Sequence, residues 1–394
     1  MDDSRRAPLG RDLAWFTPER GRLYAIAALL AFAGTLAGLL AALDGGRDPS
    51  GLPFGMDFAS FWAASRLVWA GVPADVYVQT VHKLAETVVI PAGKYEAFFY
   101  PPPYLLLCVP LAALPFFGSL AGFMAATGAA YAGALRQAAA SPAISAWAAV
   151  VAALAYPAVM LNLIAGQNGM LTAAVMGVGL TLMDRRPRTA GLIQGLMVIK
   201  PHLALAVPLA LVLSGRWTVL AFAAASSCVL MALSTVAFGG GIWAGFFRIA
   251  DTSRHVLEGG LVPFSRFQSA FAVARMLTVG IAASYALQAV SAVLAVAALV
   301  RARRRSVPPA VERSLIVLAN LLVTPFVLDY DYVVLAFPLV WLLTAWSKRG
   351  FPPWGKLMLL TQYLLPLGVF LYAPAHVCWF GAIGFLAWLA RGIG

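Results

Sequence analysis

The sequence is poor in charge. Asp, Glu, Lys and Arg make up only 11% of its 394 residues, against about 25% in a soluble domain. That shortage excludes an ordinary soluble enzyme, a disordered chain and a coiled coil. Cysteine is scarce as well. Cys108, Cys228 and Cys378 each sit inside an apolar stretch without a CxxC neighbour, which excludes a disulfide scaffold or a zinc pair and leaves small core residues. His82, His202, His255 and His376 are scattered, so a His-rich metal site is not expected. An internal repeat, the mark of many transporters, is also missing.

What remains is apolar. At 61% hydrophobic residues, the chain reads as an all-α polytopic membrane protein. Allowing about 30 residues per span and connection, the length fits about 12 membrane segments, within roughly 10 to 13. The net charge of +12, from 28 basic and 16 acidic residues, fits cytoplasmic loops facing anionic membrane lipid, with no nucleic acid as partner. Residues 1–22 carry Arg5, Arg6, Arg11, Arg20 and Arg22, which predicts a cytoplasmic N-terminal segment. It is too long and too charged for a cleavable signal peptide. Residues 23–394 are expected to form a single integral membrane domain.

Two polar stretches, about 44–100 and 239–275, are expected to be extracytoplasmic loops. The first holds Asp44, Asp48, Asp57, Asp75, Glu86 and Glu96. Within it, Phe58 to Trp69 has apolar residues at helical spacing and predicts an amphipathic helix lying on the membrane surface. Simple alternation of the apolar segments gives 12 spans but strands Arg185, Arg186 and Arg188 outside, against the charge rule. A second topology removes the conflict. It makes 101–135 one kinked crossing and 192–213 a re-entrant hairpin broken at Lys200-Pro201. Both topologies place the two polar loops and Asp329–Asp331 outside.

A few polar residues stand out against this background. Asp57, where loop meets helix, can serve as a general base or as a helix N-cap. Tyr100 follows two phenylalanines and precedes three prolines, and can face a substrate or join an interfacial aromatic belt. Gln167 and Asn168 lie between two glycines, either as a turn or as amides holding sugar hydroxyls. Lys200 lies deep in an apolar run, where insertion costs about 2.5–3.5 kcal/mol, and is a functional candidate by default. His202, next along, reads as a supporting residue. Arg266 and Arg275 can clamp a phosphate, while Gln268 can bind substrate and Arg275 can instead anchor at the interface. Asp329 and Asp331 can organise sugar hydroxyls or simply form a polar turn; the lack of a third ligand argues against a metal there.

In this order the motifs resemble glycosyltransferase family 87, a group of polytopic enzymes of the GT-C type. The carriers are Met56-Asp57-Phe58, Tyr100-Pro101-Pro102, Gly166-Gln167-Asn168, Lys200-Pro201-His202, Gln268-Ser269 with Arg275, and Thr324-Pro325 through Asp329-Tyr330-Asp331. Each is short, and only the ordered set is specific. Many relatives carry a His shortly before the Asp-Tyr-Asp stretch; here those positions are Phe326, Val327 and Leu328. The family's better-known members are polyprenol-phosphate-mannose-dependent α-1,2-mannosyltransferases.

The resemblance implies inverting transfer of a sugar, mannose by expectation, from a polyprenyl-phosphate donor to a glycan or glycolipid acceptor. The site would face the outside of a bacterial plasma membrane, with Asp57 as catalytic base. A phosphate is already a good leaving group, so neither metal nor cofactor is expected. The donor phosphate would lie against Lys200, Arg266 or Arg275. Tyr100, Gln167, Asn168, His202, Gln268, Asp329 and Asp331 would line the substrates. The rival readings are a transporter of lipid-linked sugars and a ligase that moves a whole lipid-linked glycan.

Overall fold

The computed structural model describes residues 13, 15, 17–91, 94–139, 146–370 and 377–392. Arg5, Arg6 and Arg11, on which part of the N-terminal orientation rests, lie outside these residues, as does His376. Among the described residues the protein is all-helical, with isolated bridges such as Phe267 to Leu328 in place of strands. In chain order the helices begin with α1 (Pro18–Ala41), α2 (Phe58–Trp69), α3 (Gln79–Glu86), α4 (Pro102–Cys108) and α5 (Phe116–Ala138). Next come α6 (Ala146–Leu154), α7 (Pro157–Ala165), α8 (Gly169–Leu182), α9 (Pro187–Gly195) and α10 (Ala206–Leu213). They are followed by α11 (Trp217–Phe238), α12 (Gly241–Gly259), α13 (Ala270–Met276), α14 (Ile281–Arg304) and α15 (Pro309–Val323). The last are α16 (Ala336–Arg349), α17 (Gly355–Leu364), α18 (Leu367–Phe370) and α19 (Val377–Arg391).

Among the described residues, four helical segments are long and apolar enough to cross a membrane, or five if the α6–α7 pair, bent by 52°, counts as one span. The expectation of about 12 complete crossings is therefore not met by length and composition. Many apolar runs form shorter helices broken by proline, which removes a backbone donor and ends the hydrogen-bond ladder. The long helices α1 and α11 are buried over only 6% and 11% of their apolar windows. Apolar side chains facing outward suit lipid, the only surroundings that leave them unpenalised. The short helices α8 and α15 form the centre instead, with Met170, Ala173, Met176, Ile316, Leu318 and Leu322 all within one core.

The chain between α8 and α11 runs out and back. Asp184, just past α8, and Arg216, just before α11, form an ion pair at 2.9 Å. The intervening α9 and α10, with two 3₁₀ turns around Lys200-Pro201, thus leave one end of the molecule and return to it. This is the course expected of the re-entrant hairpin at 192–213. Arg185, Arg186 and Arg188 lie at the same end as Glu312 and Arg313, which join the same ion-pair network. The segment 101–135 is broken at its prolines: α4 and the 3₁₀ turn Val109–Ala113 are followed, after Pro115, by α5.

The Phe58–Trp69 helix forms with those bounds but does not lie on the surface. Nine of its twelve residues are buried. Its polar positions are spent inside: Ser65 Oγ donates to Val109 O at 2.8 Å and accepts from the Ala112 amide at 2.9 Å, while the Trp62 and Trp69 indoles donate to Leu114 O and Val109 O. The helix therefore anchors a second core with α4 and α5, through Phe58, Phe61, Tyr104 and Phe116.

Candidate functional site

Two glycine turns cross at the site. Gly55 and Gly166 both have positive φ, +72° and +73°. A Cβ on Gly166 would sit 2.9 Å from Gly55 Cα and from Phe58 Cβ, so only glycine allows this approach. The crossing is fixed by backbone bonds from the Gly55 amide to Ile164 O and from the Asp57 amide to Ala165 O, both 3.1 Å. It brings Asp57 beside Gln167, although 110 positions separate them.

Asp57 occupies the N-cap position of α2, yet its side chain makes no capping bond. The carboxylate turns to the site instead. Its Oδ2 accepts from Gln167 Nε2 at 3.2 Å and from Arg266 at 3.4 Å. The side chain keeps 11% exposure, so it is held without being sealed. Gln167 is itself oriented by Tyr100, whose hydroxyl donates to Oε1 at 3.0 Å. A chain from Tyr100 through Gln167 thus aims the Asp57 carboxylate.

Arg266 is the bridge of the cluster. Besides Asp57 it reaches Asp329 at 3.7 Å and lies over the Tyr330 ring, 5.8 Å from its centre. Burial opposes its charge, but Asp57 and Asp329 outweigh that and hold its pKa above the ordinary arginine value. At 34% side-chain exposure it is the open cation of the site. The contacts are longer than the 2.7–2.9 Å of a tight charge-assisted bond, so its capacity is only partly used.

Lys200 is placed differently. Its ammonium is 2.6 Å from Asp331 and 3.2 Å from Asn168 Oδ1, and the residue is 2% exposed. The Tyr330 ring lies 5.0 Å from it. The other oxygen of Asp331 accepts from the Leu328 amide at 3.0 Å, which ties the Asp-Tyr-Asp turn to the lysine. The structure brings Lys200, Asn168 and Asp331 together in a buried cluster.

Arg275 stands apart. It donates to Val279 O at 2.8 Å and to Glu258 O at 3.3 Å, and stacks over Phe264. It braces the end of α13, not Asp57. Gln268 is fully buried and pins the loop, its amide donating to Val327 O at 2.7 Å and its side chain to Ser265 O at 3.1 Å. His202 packs its ring 6.5 Å from that of Phe326 and is not joined to the Asp57 cluster.

Two members were missed from sequence. Tyr330 places its ring against both Lys200 and Arg266; its flanking aspartates had drawn the attention. Glu96 lies near Asp57 and Arg266. Burial, with the Asp57 and Glu86 charges, pushes its carboxyl up to about 8 against the pull of Arg266. Nothing in the local sequence separates Glu96 from the other acids of its loop.

Most of the residues that converge belong to the motif set read from sequence. No curated protein and no solved structure matches the chain. The sequence model of glycosyltransferase family 87 matches residues 98–325. The match takes in Tyr100, Gln167, Asn168, Lys200 and Arg266, while Asp57, Asp329 and Asp331 fall beyond its ends. It covers more than half of the sequence, and the chain belongs to glycosyltransferase family 87, as a membrane glycosyltransferase.

Proposed function

We propose that the protein transfers one sugar, with mannose as first candidate, from a polyprenyl-phosphate donor to a glycan or glycolipid acceptor. The reaction inverts the anomeric centre, needs no metal, and takes place at the extracytoplasmic face of a bacterial plasma membrane. Asp57 takes the proton of the acceptor hydroxyl as that oxygen bonds to the anomeric carbon. The bond from carbon to phosphate oxygen breaks, and the phosphate leaves with the electron pair. One carboxylate base opposite a leaving group is the geometry of inverting glycoside hydrolysis, with a sugar hydroxyl in place of water.

The observation that carries this reading is the Asp57 carboxylate, free of any capping bond, held by Gln167 and Arg266 and still partly open. Arg266 is the proposed phosphate ligand, because a fixed cation stabilises charge that develops on the leaving oxygen. Lys200 keeps a supporting role: its ammonium is already neutralised by Asp331, and meeting a phosphate would require breaking that pair. The same sealed pair counts against a transport path along Lys200 and the aspartates.

Asp57→Asn is expected to lower kcat by about 10²–10⁴-fold, the range of general-base catalysis, while donor binding and membrane insertion persist. Wild-type turnover by this variant, with purified donor and acceptor, would sink the assignment. Product analysis with radiolabelled donor separates one added sugar from a moved lipid or a transferred glycan.

A further inference from the structure

Tyr77 has no task in the mechanism above, yet its hydroxyl holds the segment that carries Tyr100. Residues 94–101 form neither helix nor strand, and the isolated bridges among the described residues lie elsewhere, at 44–53 and between 267 and 328. Pro101, Pro102 and Pro103 have no amide hydrogen to offer. Side chains therefore hold the segment in place of a backbone ladder. The Glu96 amide donates to Glu86 Oε2 at 3.0 Å. Further along, the Tyr77 hydroxyl donates to the Tyr100 carbonyl at 2.8 Å. This second bond falls on the residue whose own hydroxyl reaches Gln167.

Tyr77 is itself firmly seated. It ends the 3₁₀ turn Pro73–Tyr77, is buried, and packs against Phe98 and against Phe246 of α12, with ring centres 5.9 and 6.0 Å away. Gly245 of α12 makes room for the ring, since a Cβ there would stand 3.0 Å from Tyr77 Cδ2. The Tyr100 ring lies against Phe61 and Tyr104, with centres 5.2 and 4.3 Å apart. Apolar packing is non-directional, whereas a hydrogen bond sets a distance, so Tyr77 fixes how far Tyr100 reaches. That reach matters because Gln167 has a donor end and an acceptor end. Its Oε1 accepts from the Tyr100 hydroxyl and from the Asn168 amide, which leaves Nε2 turned to Asp57 Oδ2. A reversed amide would set an oxygen against the Asp57 carboxylate.

We propose that Tyr77 is a positioning residue for the catalytic base. Its hydroxyl sets the Tyr100 carbonyl, the Tyr100 hydroxyl sets the Gln167 amide, and that amide sets the direction of the Asp57 carboxylate. The inference rests on Asp57 being the base and extends its support to the 3₁₀ turn before α3. Loss of Tyr77 is then felt in the chemical step, which depends on alignment of the base. Donor binding, assigned above to Arg266, is untouched.

The test is sugar transfer by the purified full chain in nanodiscs, with radiolabelled polyprenyl-phosphate mannose as donor and octyl α-mannoside as acceptor, or water where the mannoside does not serve. Tyr77→Phe removes one hydroxyl and keeps the ring in its seat. It is expected to lower kcat about 10-fold, between the cost of one neutral hydrogen bond and the roughly 100-fold that follows about 1 Å of misplacement, with donor KM within about twofold of wild type. Tyr100→Phe should lower kcat to a similar degree. Adding Tyr77→Phe to it should cost less than about twofold more, because members of one hydrogen-bond chain are not additive. A merely structural tyrosine would lower yield or melting temperature and leave kcat per folded molecule unchanged. Wild-type kcat in Tyr77→Phe overturns the inference, as do losses that multiply in the double variant. Wild-type kcat in Tyr100→Phe overturns it even if Tyr77→Phe does not fold. If Asp57→Asn turns over as fast as wild type, or wild type moves no mannose, the reading of the site itself falls and the inference with it.

Discussion

Two arginine–carboxylate clusters sit at opposite ends of the central helices, and their chemistry is the same while their geometry is not. At the end near Asp184, Arg216 makes paired bonds of 2.6 and 2.8 Å to Glu312 and bonds of 2.9 and 3.2 Å to Asp184, while Arg313 bonds Asp184 at 2.7 Å. Two cations meet two anions, and every contact is short or bidentate. At the other end Arg266 alone faces Asp57 and Asp329 at 3.4 and 3.7 Å, with Glu96 beside them. The first cluster is complete. It staples the re-entrant α9–α10 hairpin to α15. The second is short of positive charge and loosely bonded, which suits the proposed site for a phosphate and a hydroxyl. About 14 residues of α8 separate the two ends, roughly 21 Å at 1.5 Å per residue.

That contrast is open to attack by substitution. The largest effect is expected at Asp57, where Asn should cost several orders of magnitude in kcat, as given above; the same change at Asp184 should leave kcat within about twofold. Lys200 comes next, through stability. Lys200→Met leaves Asp331 buried and unpaired, which typically costs about 3–5 kcal/mol. A thermal melt in detergent would show it, and Asp331→Asn in the same chain should restore much of the loss. Equal melting of Lys200→Met and wild type would mean that the pair is not the brace described. Arg266→Gln should then raise donor KM about 10- to 150-fold, from the loss of about 1.5–3 kcal/mol of charge-assisted hydrogen bonding, with little change in acceptor KM. The smallest effect belongs to Arg216→Gln. Partly exposed pairs contribute about 0–1 kcal/mol each, so melting should fall modestly and donor KM stay constant. A donor KM that responds to Arg216 as strongly as to Arg266 would erase the distinction between the clusters.

Much of this was legible in the sequence, for identifiable reasons. Gly166-Gln167-Asn168, Lys200-Pro201 and Asp329-Tyr330-Asp331 stood out because polar or ionisable residues in apolar runs are costly. The break at Lys200-Pro201 followed from proline's missing donor. Burial of α2 was not legible. Its apolar residues at helical spacing read as a surface helix, and only the fold supplies Val109 O and Ala112 N to satisfy Ser65. The span count went astray because hydropathy registers apolar length and not helix continuity. Glu96 was invisible because Arg266, 170 positions away, comes near it only through the fold. Arg275 looked equivalent to Arg266 in sequence; the difference is that Val279 O and Glu258 O occupy its guanidinium.

The central claim is that the underpaired cluster is where sugar leaves phosphate. A structure of the full chain with polyprenyl-phosphate mannose bound tests it most directly. The account predicts a phosphate oxygen within about 3 Å of the Arg266 guanidinium, with the anomeric carbon turned toward the Asp57 side and the Lys200–Asp331 pair intact. A donor seated elsewhere, with the Arg266 contacts to Asp57 and Asp329 undisturbed, would contradict it.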